Sequence, residues 1–324
     1  MHNVKRVHTT AEAQALKKKR EAVKIAEYQA LVKKVLEARG RGDASQDALQ
    51  LTTSLLKQNP EYYTIWNYRR EILIAMFATM DKDGIQGLID SDMTFLFARL
   101  REFPKCYWIW SHRQWCLETC PTPNWKAELA LVNKLLEYDS RNFHGWHYRR
   151  YVVQSTERAT DKSMVRQEFD FTTTKIKENF SNFSAWHNRT KLIPRLLQEE
   201  SSIDRKEFLN KEIALITQAI YTDPDDQSVW LYHRWLLTAN DIAILSSEER
   251  IALMQTEIKS ISELLEVEPD SKWCLHSLAF YKEFVAKLQN VKPGPSVIEY
   301  LHKLEEIDPM RVKRYEDWES QIQT

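Results

Sequence analysis

Five tryptophans recur in this chain at nearly even spacing, each in the same company. The segments PEYYTIWNYRREIL, PKCYWIWSHRQWCL, SRNFHGWHYRRYVV, FSNFSAWHNRTKLI and PDDQSVWLYHRWLL carry Trp66, Trp110, Trp146, Trp186 and Trp230, at intervals of 44, 36, 40 and 44 residues. Six positions before each tryptophan stands a helix breaker or a residue in its place: Pro60, Pro104, Ser140, Phe180 and Pro224. Upstream of the breakers, stretches such as LTTSLLKQNP, FLFARLREFP and LITQAIYTDP place apolar residues at i, i+3 and i+4, which is one face of a helix that the breaker then stops. The unit is therefore helix A, a turn, helix B with the tryptophan, and a variable connection. A period of about 40 residues built this way predicts an all-α protein, an α-α superhelix of helical hairpins, since each hairpin can bury its apolar face only against its neighbours.

The array extends past the fifth tryptophan. ISELLEVEPDSKWCLHSLAFY keeps the helix A ending and Pro269, but Leu275 takes the tryptophan register and Trp273 falls two residues early. A seventh helix A, YLHKLEEIDP, ends at Pro309, and terminal units of a solenoid are expected to be atypical because they cap it. Residues 41–324 are thus assigned to the repeats. Residues 1–40 lack the pattern and read as a lysine-rich helical arm, with TTAE (Thr9 to Glu12) as a capping box and Gly40 as the C-cap. Such an arm is either a solvated leading helix or a segment that touches a partner.

Composition narrows the function classes. Six glycines in 324 residues leave no Gly-rich loop for a nucleotide phosphate, and a formal net charge of zero does not suggest a nucleic-acid or anionic-membrane partner. No run of about 18 apolar residues marks a transmembrane span. Cys106, Cys116, Cys120 and Cys274 fit a reduced intracellular compartment better than a disulfide scaffold.

Trp66, Trp110, Trp146 and Trp186 are followed three residues later by Arg69, Arg113, Arg149 and Arg189, and Trp230 four residues later by Arg234. Residues three and four apart share a helix face, so a guanidinium can stack on the indole or reach carbonyls at the end of a neighbouring helix A. Five ligand sites of one form are less expected than one packing solution used five times, so these residues are assigned to building the solenoid.

Function is expected where the repeats disagree. Five residues before each tryptophan stand Glu61, Lys105, Arg141, Ser181 and Asp225, and only the second and third are cationic. A cation beside a helix N-terminus favours a phosphate or carboxylate, although exposed cations are common. His112, Cys116 and Cys120 fall at i, i+4 and i+8, a spacing that could align zinc-type ligands, but such ligands usually come from different elements and buried thiols are the expected reading. No H-E-x-x-H, G-x-S-x-G or C-x-x-C motif occurs, so catalysis by this chain requires another subunit.

The W-x-x-R units with their prolines, and blocks such as NYRREIL, RNFHGWHYRR, YHRWLL and EPDSKWCL, resemble the α subunits of protein prenyltransferases. Within that family they are most similar to the type II group, which serves Rab geranylgeranyl transfer. The resemblance implies a crescent of paired helices around a β subunit that holds zinc and the isoprenoid pocket, with no cofactor bound by the α chain itself. It implies a cytoplasmic enzyme that moves geranylgeranyl from geranylgeranyl diphosphate to C-terminal cysteines of Rab GTPases presented by Rab escort protein. Related enzymes place a lysine near the diphosphate at the position of Arg141, and the type II pattern has one at Lys105, so these two are the expected diphosphate-stabilising residues. Two alternatives remain: the shared α subunit of farnesyl and type I transferases, and a non-enzymatic helical scaffold. An N-terminal His2 reaching the partner's zinc is a weaker expectation.

Overall fold

The computed structural model describes residues 10–239 and 245–323. His2 and Thr9 lie outside the described residues. Among those described, the chain is helical, without strands. Residues 1–136 and 142–155 form one compact unit, and residues 137–141 and 156–324 a second.

In the first unit, α1 (Ala11–Gly40) leads into α2 (Gln46–Gln58) and α3 (Tyr63–Phe77), the A and B helices of the first repeat. α4 (Lys82–Glu102) and α5 (Tyr107–Thr119) form the second, and most of α6 (Trp125–Tyr138) and α7 (Phe143–Thr160) the third. The second unit holds α8 (Val165–Glu178) with α9 (Phe183–Glu199), α10 (Arg205–Thr222) with α11 (Gln227–Thr238), α12 (Ser247–Val267) with α13 (Lys272–Leu288), and α14 (Ser296–Ile307) with α15 (Val312–Gln323).

Local chemistry sets the ends of these helices. Ser45 Oγ, Asp81 Oδ1 and Asp204 Oδ1 accept backbone N–H groups in the first turns of α2, α4 and α10, and Ser246 with Glu249 forms a reciprocal capping box on α12. The first helix differs from the sequence reading at both ends. Thr10 caps α1, its side chain accepting from Ala13 N, and the helix continues through Gly40 to a cap at Arg41. Gly42, at φ +65°, supplies the left-handed residue that ends it, one place beyond the cap where such a residue serves best. The outer part of α1 leaves Leu16, Val23 and Ile25 exposed, whereas Val35 and Ala38 are buried near its other end. Asn59 Nδ2 donates to Tyr28 Oη at 2.8 Å, tying α1 to the turn after α2.

The core of each unit runs along the A/B seams. Leu55, Ile65, Ile72, Leu96 and Ile109 are fully buried in the first unit, and Ile176, Ile193, Ile216 and Val229 in the second. In the sixth unit Leu275 is buried at the tryptophan register while Trp273 is only partly covered, and Leu275 packs with Val297, Leu301, Leu304 and Tyr315 of the capping hairpin.

Candidate functional site

The repeated tryptophans fasten the turn inside each hairpin. Their indole N–H groups donate to the carbonyl of the breaker residue: Trp66 to Pro60 at 2.8 Å, Trp110 to Pro104 at 3.0 Å, Trp186 to Phe180 at 2.7 Å and Trp230 to Pro224 at 2.8 Å. The breaker carbonyls of the first three repeats also accept from the following repeat, four residues before its tryptophan. Cys106 Sγ lies 3.4 Å from the Pro60 oxygen, Asn142 Nδ2 donates to Pro104 at 3.1 Å, and Asn182 Nδ2 donates to Ser140 at 3.1 Å. A breaker carbonyl left over at a helix end is thereby satisfied inside the solenoid.

The arginines join one hairpin to the next. Arg113 grips Glu128 of α6 through Nε and Nη2, at 2.8 and 2.6 Å, and Arg189 grips Glu212 of α10 at 2.7 and 2.5 Å. Arg69 holds Asp92 of α4, and its remaining nitrogen meets the Leu49 carbonyl and the hydroxyls of Thr52 and Thr53. Arg189 repeats that pattern with Phe169, Thr172 and Thr173. Arg149 donates to Asn133 Oδ1 and is itself fully buried. The guanidinium therefore seeks a carboxylate on the next helix A and polar groups within its own helix A. Arg69 and Arg189 lie against phenylalanine rings, Phe95 and Phe169.

Each acid also receives a donor from two residues after the next tryptophan: His112 to Asp92 at 2.8 Å, Tyr148 to Glu128 at 2.5 Å, and Tyr232 to Glu212 at 2.5 Å. Carboxylates buried on this scale require such complete satisfaction. Burial pushes the Tyr148 and Tyr232 hydroxyls well above their ordinary range, so both stay protonated as donors.

Arg234 does not follow its four predecessors. His233 occupies the arginine register, its ring nitrogens 3.0 Å from Glu257 and 2.8 Å from the Tyr281 hydroxyl. Arg234, one residue further round the helix, turns instead to α13, where it meets His276 at 2.8 Å and covers the Phe280 ring. A shift of one residue rotates a helical side chain by about 100°, enough to change which neighbour it meets.

The cation positions lie in the turns before helix B. Lys105 is exposed, two residues before α5 begins at Tyr107. Arg141 is exposed, two residues before α7 begins at Phe143, and its N–H reaches Asp139 Oδ1 at 3.3 Å. Glu61, Ser181 and Asp225 make the same backbone contact with Asn59, Asn179 and Asp223, so the turns are alike and only the side chains differ. The two cations fall in different compact units, Lys105 in the first and Arg141 in the second.

Beside these turns runs a set of exposed aromatic residues that the sequence reading passed over. Tyr63, Tyr107, Phe143 and Phe183 open their B helices three residues before the tryptophans. Tyr63 packs on Trp108 with centroids 5.2 Å apart, and Tyr107 meets the edge of His144 at 4.2 Å. His144 is hydrogen-bonded to the Lys105 backbone, yet burial holds its pKa below the usual value. The signal was present, since an aromatic residue recurs at this register in four of five repeats. Cations next to exposed rings suit an anion carrying apolar bulk.

His112 and Cys116 come together, with Asp92 as a third neighbour, while Cys120 lies apart against Gln86 Oε1 at 3.3 Å. The ligand atoms of Asp92, His112 and Cys116 lie within 4.8 Å of one another, and Asp92 with His112 already belongs to the joint between hairpins. Arg69 already brings a full positive charge onto Asp92, and burial followed by the Asp92 charge drives the Cys116 thiol well above its ordinary pKa. Cys106 and Cys274 are buried free thiols.

Hairpins fastened by an indole on their own turn and by an arginine on the next hairpin's acid define an α-α repeat protein. Comparison with known proteins makes the assignment sharper. The protein prenyltransferase alpha subunit repeat matches residues 45–76, 89–120, 125–156, 165–196 and 209–240. Geranylgeranyl transferase type-2 subunit alpha of Schizosaccharomyces pombe is 44% identical over 99% of this chain and 98% of its own length. The Saccharomyces cerevisiae protein of the same name is 38% identical over 97% and 98%, and the Homo sapiens one 38% over 74% and 42%. A solved structure, Candida albicans protein geranylgeranyltransferase-I complexed with GGPP, shares the fold with a TM-score of 0.67 over 92% of this chain and 91% of that one, at 19% identity. The chain belongs to the protein prenyltransferase α-subunit family, in its geranylgeranyl transferase type-2 group. Among the described residues, no helix is long and apolar enough to cross a membrane.

Proposed function

We propose that this chain pairs with a β subunit to form a cytoplasmic type-2 geranylgeranyl transferase, which moves geranylgeranyl from its diphosphate to C-terminal cysteine thiols of Rab GTPases presented by Rab escort protein. The observation that carries this reading is the end-to-end match to type-2 α subunits at 44% and 38% identity. The buried acids of this chain hold hairpins together, so chemistry at the thiol falls to the companion subunit. Zinc on that subunit supplies a lowered thiol pKa.

This chain contributes positive charge toward the leaving group. As the sulfur bonds to the first isoprenoid carbon, the carbon–oxygen bond breaks and charge gathers on the departing diphosphate. Lys105 and Arg141, exposed at the starts of helices B, are the side chains assigned to meet it. Arginine at 141 keeps the charge and adds a two-pronged donor.

The test is reconstitution. The chain is co-expressed with a type-2 β subunit and assayed with geranylgeranyl diphosphate, escort protein and a Rab ending in paired cysteines. Transfer to that Rab, and not to a protein ending in a single Cys-a-a-X box, is the expected result. Transfer only to the Cys-a-a-X protein would overturn the assignment in favour of the shared farnesyl and type I subunit.

A further inference from the structure

The displaced arginine of the fifth repeat opens a question that the heterodimer reading does not answer. Arg234 lines a groove of about 550 Å³ formed by α11, α13 and α15, all within the second unit. Its four counterparts in the arginine register are held by acid or amide side chains, but Arg234 has no carboxylate partner among the described residues. One terminal nitrogen donates to His276 Nδ1 at 2.8 Å, the plane lies 4.1 Å from the Phe280 ring centre, and the buried Nε has no hydrogen-bond partner.

The surroundings do not neutralise it. His276 is held neutral, its pKa brought down to about 3 by burial and then by the charges of Arg234, Arg314 and Arg311. Burial also lowers the pKa of Arg234, so carrying its charge costs the free chain stability. Glu283, the acid deepest in the groove, is already engaged by Trp318 Nε1 at 2.7 Å and by Lys287. Arg314 adds a second positive charge on the α15 side. A guanidinium in this condition presents a two-pronged donor to one incoming carboxylate. A phosphate dianion fits less well, because Glu283 and Asp317 line the same groove and would repel the extra charge.

We infer that the groove around Arg234 is a docking site for an aspartate or glutamate side chain of the β subunit, which pairs with Arg234 and Arg314 when the heterodimer forms. The inference rests on the heterodimer reading above. A partly buried charge that lacks a carboxylate partner in the free subunit and gains one in the complex makes association more favourable than contact area alone would.

The experiment compares the wild-type chain with Arg234→Met and Arg314→Ser, each titrated with purified β subunit at low and high salt, together with thermal unfolding of the free chain. Arg234→Met should leave the unfolding midpoint of the free chain unchanged or higher, yet weaken β binding by roughly 10- to 100-fold and flatten its salt dependence. Arg314 is exposed, so Arg314→Ser should fold normally and weaken binding by a smaller factor. Equal affinity for all three chains overturns the inference and leaves the heterodimer reading intact. A wild-type chain that fails to bind β overturns both. Normal β binding by the variants, combined with a midpoint raised by inorganic phosphate in wild type alone, assigns the groove to a small anion and also overturns the proposal.

Discussion

The guanidinium of Arg113 and the carboxylate of Glu128 meet two-pronged across successive hairpins, at 2.8 and 2.6 Å, both residues buried. Because Glu128 also accepts from Tyr148, removing the arginine leaves a buried acid with only one strong partner. Arg113→Ala should destabilise the chain by roughly 3–5 kcal/mol, whereas Arg113→Met combined with Glu128→Leu should cost much less. Urea unfolding of both variants checks this, and equal losses would show that the ion pair is not what the hairpins depend on.

The indole N–H of Trp186 satisfies the Phe180 carbonyl at 2.7 Å inside a partly buried turn. Trp186→Phe keeps an aromatic ring but orphans that carbonyl and leaves a small void. A loss of about 2–4 kcal/mol is expected. A thermal midpoint equal to wild type would mean that the turn holds without the bond.

Acid should loosen the first unit through Asp92. Burial pushes its pKa up, but the hydrogen bond from His112 and the charge of Arg69 outweigh this and hold it at about 2, below the ordinary 3.8. A depressed folded value means that the stabilisation is complete above about pH 4 and is lost as pH falls through 2, a contribution of roughly 2 kcal/mol. Asp92→Asn should be less stable at neutral pH and should lose less stability between pH 5 and pH 2. Parallel acid-unfolding curves for the two proteins would contradict that assignment.

Thiol reactivity should separate the cysteines. Cys106, Cys116 and Cys274 are buried with raised pKa values, and Cys120 is partly exposed. Brief iodoacetamide treatment of the native chain, read by peptide mass spectrometry, should modify Cys120 first. Early labelling of Cys116 would show that its helix opens readily.

Lys105→Ala, in the reconstituted enzyme, should lower turnover by about tenfold or more and weaken diphosphate inhibition, with Lys105→Arg recovering most of both. Loss of activity without any change in diphosphate affinity would move Lys105 out of the leaving-group role.

The sequence by itself determined the hairpin, its period and the family. Tryptophan, breaker and apolar spacing act within about 40 residues of chain, and local rules of helix periodicity and termination suffice to read them. It also marked Lys105 and Arg141 as the turn positions where charge departs from the pattern. The tertiary structure decided the partners. Arg69 and Arg189 find their acids 23 residues on, at Asp92 and Glu212, but Arg113 finds Glu128 only 15 residues on, because α5 ends sooner after its arginine and the acid stands in the first turn of α6. No fixed spacing predicts that, since the meeting point depends on how each hairpin stacks on the next. The same stacking gave the fifth arginine register to His233 and turned Arg234 toward Phe280 and His276, with no carboxylate partner among the described residues. On one helix the two residues are neighbours, and only the packing of α11 against α12 and α13 makes one a fastener and leaves the other facing an open groove.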